Sequence, residues 1–140
     1  LSEQPVVITA EAMVNASIEK VWKYWTTPEH ITQWNNASDD WHTPAASNDL
    51  RTGGSFSYTM AAKDGSFSFD FGGVYNEVKT NELIAYTMDD GRTARITFEA
   101  LGDSTVVTEV FEPETMNAHE LQQAGWQMIL ENFKRHVELL

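Results

Sequence analysis

The last stretch of the chain, HELQQAGWQMILENFKRHVELL, constrains the fold more than any other. After Pro113 the sequence switches to a helical period that predicts a final helix of roughly 24 residues. Leu121, Gly125, Ile129, Phe133 and Val137 recur every fourth position, with Trp126, Leu130 and Leu140 beside them. Glu131, Lys134, Arg135 and Glu138 fall mostly on the opposite side. A helix with so broad an apolar stripe must bury it, and one long helix demands one large apolar sheet face. Gly125 stands out within that stripe, because glycine inside a helix costs ~1 kcal/mol relative to alanine. Two readings stay open. The missing side chain either lets the backbone approach the sheet closely or leaves space that Trp126 walls on one side.

The required sheet is legible upstream. VVITAEAMV predicts a strand over Val6–Val14. The period then changes. Ile18, Val21, Trp22 and Trp25 have helical spacing, Ser17 is a candidate N-cap, and Pro28 ends this helix and opens a second short one carrying Ile31 and Trp34. The segment Trp41–Leu50 reads as irregular. Strand signals then follow in series, separated by the turn signals KDG, TNE, DDGR and GDS. Phe56, Tyr58 and Met60 share one face, as do Phe67, Phe69 and Phe71, and Gly72-Gly73 marks a bulge or bend. Short turns imply an antiparallel meander. The fold class is therefore α+β: one domain over residues 1–140, with a curved antiparallel sheet of about six to seven strands wrapped around the C-terminal helix. Two short helices follow strand one.

Net charge is −12, from 21 acidic and nine basic residues. Such a balance opposes nucleic acid and anionic membrane surfaces, both of which need a basic face. There is no cysteine, which excludes disulfides, thiolate catalysis and cysteine-ligated zinc. The N-terminal LSEQPVVITAEAMV lacks a basic start and a long apolar run, so no signal peptide and no membrane insertion are expected, and a cytoplasmic location is.

Five Trp, seven Phe and four Tyr have to be housed. No metal spacing links His30, His42, His119 and His136, and DDWH reads as a polar surface loop. No nucleophile elbow or phosphate loop is present, so neither catalytic residue nor metal nor cofactor is assigned. Two carboxylates lie within strands. Asp70 alternates away from the three Phe, whereas Glu109 is in register with Val107 and Phe111. The simpler expectation puts both on the solvent face, where cross-strand Arg–Glu pairs are common. The alternative turns Glu109 inward, where burial would raise its pKa unless it is paired, with Arg95 on a neighbouring strand as the candidate partner.

The elements ASIEKVWKYWTTPEHITQW, GGSFSYTM, DFGGVYNEVKTNELIAYT, TFEALGDSTVVTEVF and GWQMILENFKRHVE, in this order, resemble the START-like superfamily. Within it they look most like homologues of the activator of heat-shock-chaperone ATPase. The resemblance covers nearly the whole chain. It implies a helix-grip fold with a cavity between sheet and helix, in which superfamily members hold lipids, sterols or polyketides. On that analogy the ligand is a small apolar or aromatic molecule, lipid, polyketide or flavonoid-like. Its contacts are expected to be Trp34, Tyr58, Phe69, Phe71, Phe98, Glu109, Gly125, Trp126 and Ile129. The alternatives are a cyclase- or hydrolase-type enzyme using Glu109, Arg95, Tyr58 and Asp70, and a chaperone cofactor, which the lack of a recognisable docking module disfavours. A homodimer is the default assembly.

Overall fold

A computed structural model describes residues 6–140. Strand β1 (Ile8–Val14) leads into helices α1 (Ile18–Thr26) and α2 (Pro28–Trp34). Six strands follow, β2 (Trp41–Asn48), β3 (Ser55–Ala62), β4 (Ser68–Lys79), β5 (Leu83–Met88), β6 (Thr93–Leu101) and β7 (Ser104–Phe111), and then helix α3 (His119–Leu139). The sheet is wholly antiparallel in the order β1-β7-β6-β5-β4-β3-β2, curled into a half-barrel against α3. Only β1 leaves the meander, crossing to pair with β7, so β1 and β2 form the two edges.

Local chemistry accounts for the boundaries. Ser17 Oγ accepts the Lys20 N–H at 3.3 Å and starts α1. Pro28 occupies the first turn of α2, where its missing N–H leaves nothing unsatisfied. Inward and outward residues alternate strictly along β1 and β7. The expectation of an irregular Trp41–Leu50 segment is corrected: residues 41–48 form an edge strand. Its register shifts between His42 and Ala45, so Pro44 sits in a bulge where no ladder donor is needed. This supplies the seventh strand.

The glycine pair does not mark a bulge. The bulge of β4 lies between Tyr75 and Glu77, not at Gly72-Gly73. A Cβ on Gly73 would stand 2.3 Å from the Thr87 carbonyl oxygen, and one on Gly72 2.8 Å from that of Phe56. Glycine there permits close backbone approach from both neighbouring strands.

Helix α3 is held at its C-terminal half. Leu130, Phe133 and Val137 are fully buried, and Phe133 meets Trp25 and Trp34 edge-on at 4.8 and 4.9 Å. A second, polar set of contacts runs along β1. Gln127 donates to the Glu11 carbonyl at 3.0 Å and accepts the Glu11 N–H at 3.2 Å. Lys134 donates to the Met13 carbonyl at 2.7 Å, and Glu138 accepts the Asn15 N–H at 2.8 Å. Side chains of α3 thereby occupy backbone groups along an open sheet edge.

The inward face of α3 is centred on Trp126, Leu130, Phe133 and Val137 rather than on the row that begins at Leu121. Residues four apart drift by about 40° per step around a helix with 3.6 residues per turn. The row therefore starts in solvent, with Leu121 62% exposed, reaches the cavity wall at Ile129 and is fully buried at Phe133. Gly125 lies on its outer part, and a Cβ there would meet nothing within 4 Å. It is not a close-packing contact.

The two glycines should respond oppositely to alanine. Gly125→Ala should raise stability by up to about 1 kcal/mol through helix propensity. Gly73→Ala should lower it by about 1–3 kcal/mol, because two strands must separate. Urea denaturation midpoints of both variants check the pair.

Candidate functional site

A cavity of about 280 Å³ lies between the concave sheet face and the N-terminal half of α3. This is near the lower end of ligand pockets, which run ~300–1,000 Å³. Its position follows from the anchoring of α3: the helix is clamped from Leu130 onward, while Trp126 and Ile129 face open space. The sheet contributes alternate residues of β3, β4 and β5, with Phe56, Tyr58, Phe71, Tyr75, Ile84 and Tyr86 all lining the space. Trp25 and Trp34 close the end nearest α1 and α2.

The structure brings together most of the expected contacts. Trp34, Tyr58, Phe69, Phe71, Glu109, Trp126 and Ile129 all line the cavity. Trp126 lies flat on Phe111, with ring centroids 3.8 Å apart, so its orientation is set by stacking. The indole N–H of Trp34 is already committed to the Tyr24 carbonyl at 3.1 Å and is not free to orient a ligand. Phe69 stands at the rim, 42% exposed, against Trp41.

Two expected residues fall elsewhere. Phe98 is buried against Trp22 and Trp25 at 5.2 and 5.9 Å, within the aromatic plug under α1. Gly125 does not reach the cavity, for the helical reason given above. Trp25, Tyr75, Tyr86 and Arg92 line it without having been singled out as contacts. For Tyr86 a signal existed, its alternation with Ile84 and Met88. Arg92 sits in a turn, where sequence pattern carries no orientation.

The carboxylates separate. Asp70 stays outside and accepts a hydrogen bond from Thr59 Oγ1 at 2.9 Å, as expected. Glu109 does not. It is 5% exposed and points inward between Ala10 and Ile96, its neighbours on β1 and β6. Arg95, its suggested partner, is in register with Val110 and lies on the outer face. Strict alternation along β7 outweighed the rarity of buried charge.

Glu109 Oε1 is buried with no hydrogen-bond partner among the described residues. Desolvation pushes its pKa up from 4.5 to about 8, so the carboxyl is mainly protonated at neutral pH. Burial also raises Tyr86 well above the ordinary tyrosine value, with the nearby Glu109 adding to the effect. Tyr58 is raised in the same direction, first by burial and then by Tyr75 and Tyr86. The cavity is thus an aromatic shell whose buried hydroxyl and carboxyl groups are uncharged, with Arg92 and Glu114 as the charged side chains of its lining. Among the described residues no cluster of three or more His, Asp or Glu is arranged to hold a metal ion. None of the helices described is long and apolar enough to cross a membrane.

Comparison with known proteins agrees with this architecture. The sequence profile of the family described as Activator of Hsp90 ATPase homolog 1-like protein matches residues 15–138. A solution structure of a protein from Cytophaga hutchinsonii is 61% identical, covering 94% of this chain and 92% of its own, with a TM-score of 0.82. An AHSA1-like protein from Aeromonas hydrophila is 46% identical over 96% of this chain and 93% of its own, with a TM-score of 0.90. A crystal structure from Nitrosomonas europaea is 18% identical, covering 99% and 97% with a TM-score of 0.82, and shares the fold. No curated protein matches the chain.

The position of Glu109 makes stability depend on pH. A carboxyl whose folded pKa exceeds its unfolded value stabilises fully below the unfolded pKa, and that contribution is lost as pH rises toward the folded one. Between pH 4.5 and about 8 the Glu109 contribution should therefore fall, by up to about 1.4 kcal/mol per pH unit. Glu109→Gln should flatten this slope and raise stability at pH 7.5. Urea titrations at several pH values compare the two chains.

Proposed function

The chain belongs to the Activator of Hsp90 ATPase homolog 1-like family, and from that premise we propose that it binds one small, mostly apolar or aromatic molecule in the cavity between sheet and α3. The observation that carries this reading is the 280 Å³ space itself, walled by aromatic side chains from three strands and both helical layers. A close-packed interior leaves few voids larger than a water molecule, so a space of this size stands apart from ordinary packing. Burial of apolar ligand surface at about 25 cal/mol per Å² supplies the driving force. Compact polyketide-, flavonoid- or lipid-like compounds have the fitting character. The charge of −12 supports a small-molecule partner over nucleic acid, and we read the protein as cytoplasmic on the same basis as its cysteine-free composition.

One observation favours a second reading, acid–base catalysis on the bound molecule. A carboxyl with a pKa of about 8 inside a cavity is suited to proton transfer near neutral pH. Of the acid–base candidates, Glu109 and Tyr58 stand in the cavity, while Asp70 and Arg95 lie on the outer face. The family description names an activator of a chaperone ATPase; the walled cavity supports ligand binding more directly.

Tetralin, a compact bicyclic hydrocarbon, is a suitable probe. Saturable shifts of the amide resonances of Phe71, Trp126 and Ile129 are expected on titration. Ile129→Trp, which fills the space from α3, should weaken binding at least about tenfold while the fold is retained. Shifts scattered over the surface, or none, would overturn the reading.

A further inference from the structure

We propose that the ligand carries an uncharged acceptor oxygen, such as a carbonyl, and docks it where Glu109, Tyr86 and Arg92 meet in an otherwise aromatic wall. The inference rests on the binding reading above and specifies its chemistry. Three elements converge at that end: β7 brings Glu109, β5 brings Tyr86, and the turn between β5 and β6 brings Arg92. Tyr86 lies close enough to feel both Glu109 and Arg92.

The other polar groups nearby are engaged wholly, or in the case of Arg92 with only some of its five N–H donors. Gln122 donates to the carbonyls of Glu114 and Asn117 at 3.0 and 2.9 Å and accepts the Glu114 N–H at 2.9 Å. The Glu114 carboxylate accepts from the backbone N–H groups of Met116 and Asn117, within its own loop. Arg92 Nε is paired with Asp90 at 2.7 Å, and Nη1 donates to the Glu112 carbonyl at 3.3 Å. Glu109 Oε1 alone is buried without a partner among the described residues. An unmet buried polar atom costs about 1–3 kcal/mol, which a complementary ligand would remove.

The identity of that ligand group follows from the charges facing Glu109. From β1 and β6 it faces Ala10 and Ile96, and from α3 the uncharged Gln122 and Trp126. From β5 it faces Tyr86, and from the adjacent loops Arg92, held by Asp90, and Glu114. The cavity residues from β3, β4, α1 and α2 include tyrosines but no charged side chain. Among the described residues no free cation is therefore placed to keep Glu109 ionised, and it presents an O–H donor. Tyr86 and Arg92 are donors as well. A carbonyl oxygen, with two lone pairs, answers such a set. A ligand carboxylate would sit beside Glu109 and Glu114, and an ammonium group would lie beside Arg92 and require Glu109 to ionise in a dry site.

Three probes of one shape test this: α-tetralone, tetralin and aminotetralin, titrated calorimetrically and by amide resonance shifts. The expected result is α-tetralone binding about tenfold tighter than tetralin at pH 7, weakening above pH 8 as Glu109 loses its proton. Glu109→Gln keeps a donor, so it should retain the preference and lose the pH dependence. Glu109→Leu should bring the two affinities together. Tetralin binding as tightly as α-tetralone would overturn the inference and leave the cavity reading standing. Aminotetralin binding tightest, with affinity rising with pH, would replace the carbonyl by an ammonium partner. If none of the three binds in the cavity, both readings fall.

Discussion

The seating of α3 against β1 and the aromatic plug is the interaction on which the rest of the structure depends. Leu130, Phe133 and Val137 supply the apolar part, buried among residues of the sheet and the two short helices. Gln127, Lys134 and Glu138 supply the polar part, bonding to backbone groups along β1. β1 is an edge strand, and an unpaired edge is a site for association with other chains. The same contacts that position the helix therefore also protect the sheet. Both sets are concentrated from Gln127 onward, so the first two turns of α3 stand away from the opposite half of the curled sheet.

That asymmetry produces the cavity. In the N-terminal half of α3 only Trp126, stacked on Phe111 and edge-on to Phe71 at 6.3 Å, reaches across toward the far strands, and with Ile129 it forms one wall of an open space. Glycine at positions 72 and 73 lets β3, β4 and β5 approach closely on the far side, while Phe71 and Tyr75 of β4 face the cavity. Rigid stacking and strand pairing hold the walls, which favours a pocket formed in advance of its ligand.

Glu109 is the point where stability and use diverge. Its register places it in the row of Val107 and Phe111, positions that an apolar residue would occupy at lower free energy. Burial keeps the carboxyl uncharged at neutral pH and leaves one oxygen without a partner among the described residues. Local rules of packing are broken most often where a protein meets its ligand, and this is the clearest such break in the described chain.

The sequence by itself determined the element order, the antiparallel meander and the long closing helix, because hydrophobic period and turn chemistry are local properties of the chain. The resemblance to the START-like superfamily pointed to much of the aromatic wall, Trp34, Tyr58, Phe69, Phe71 and Trp126. Local pattern missed β2, whose proline and small residues read as a loop until an edge position made them tolerable. A row of every fourth residue on α3 does not stay on one face, because helical drift carries it around the axis, so Leu121 is exposed while Phe133 is buried. Only the tertiary structure decided which face of β7 is buried, that Phe98 packs in the plug rather than the cavity, and that Arg92 reaches the cavity wall from a turn. These depend on how elements distant in the chain are superposed, and the orientation of a residue in a turn or the partner of a buried acid is set by neighbours that no local pattern specifies.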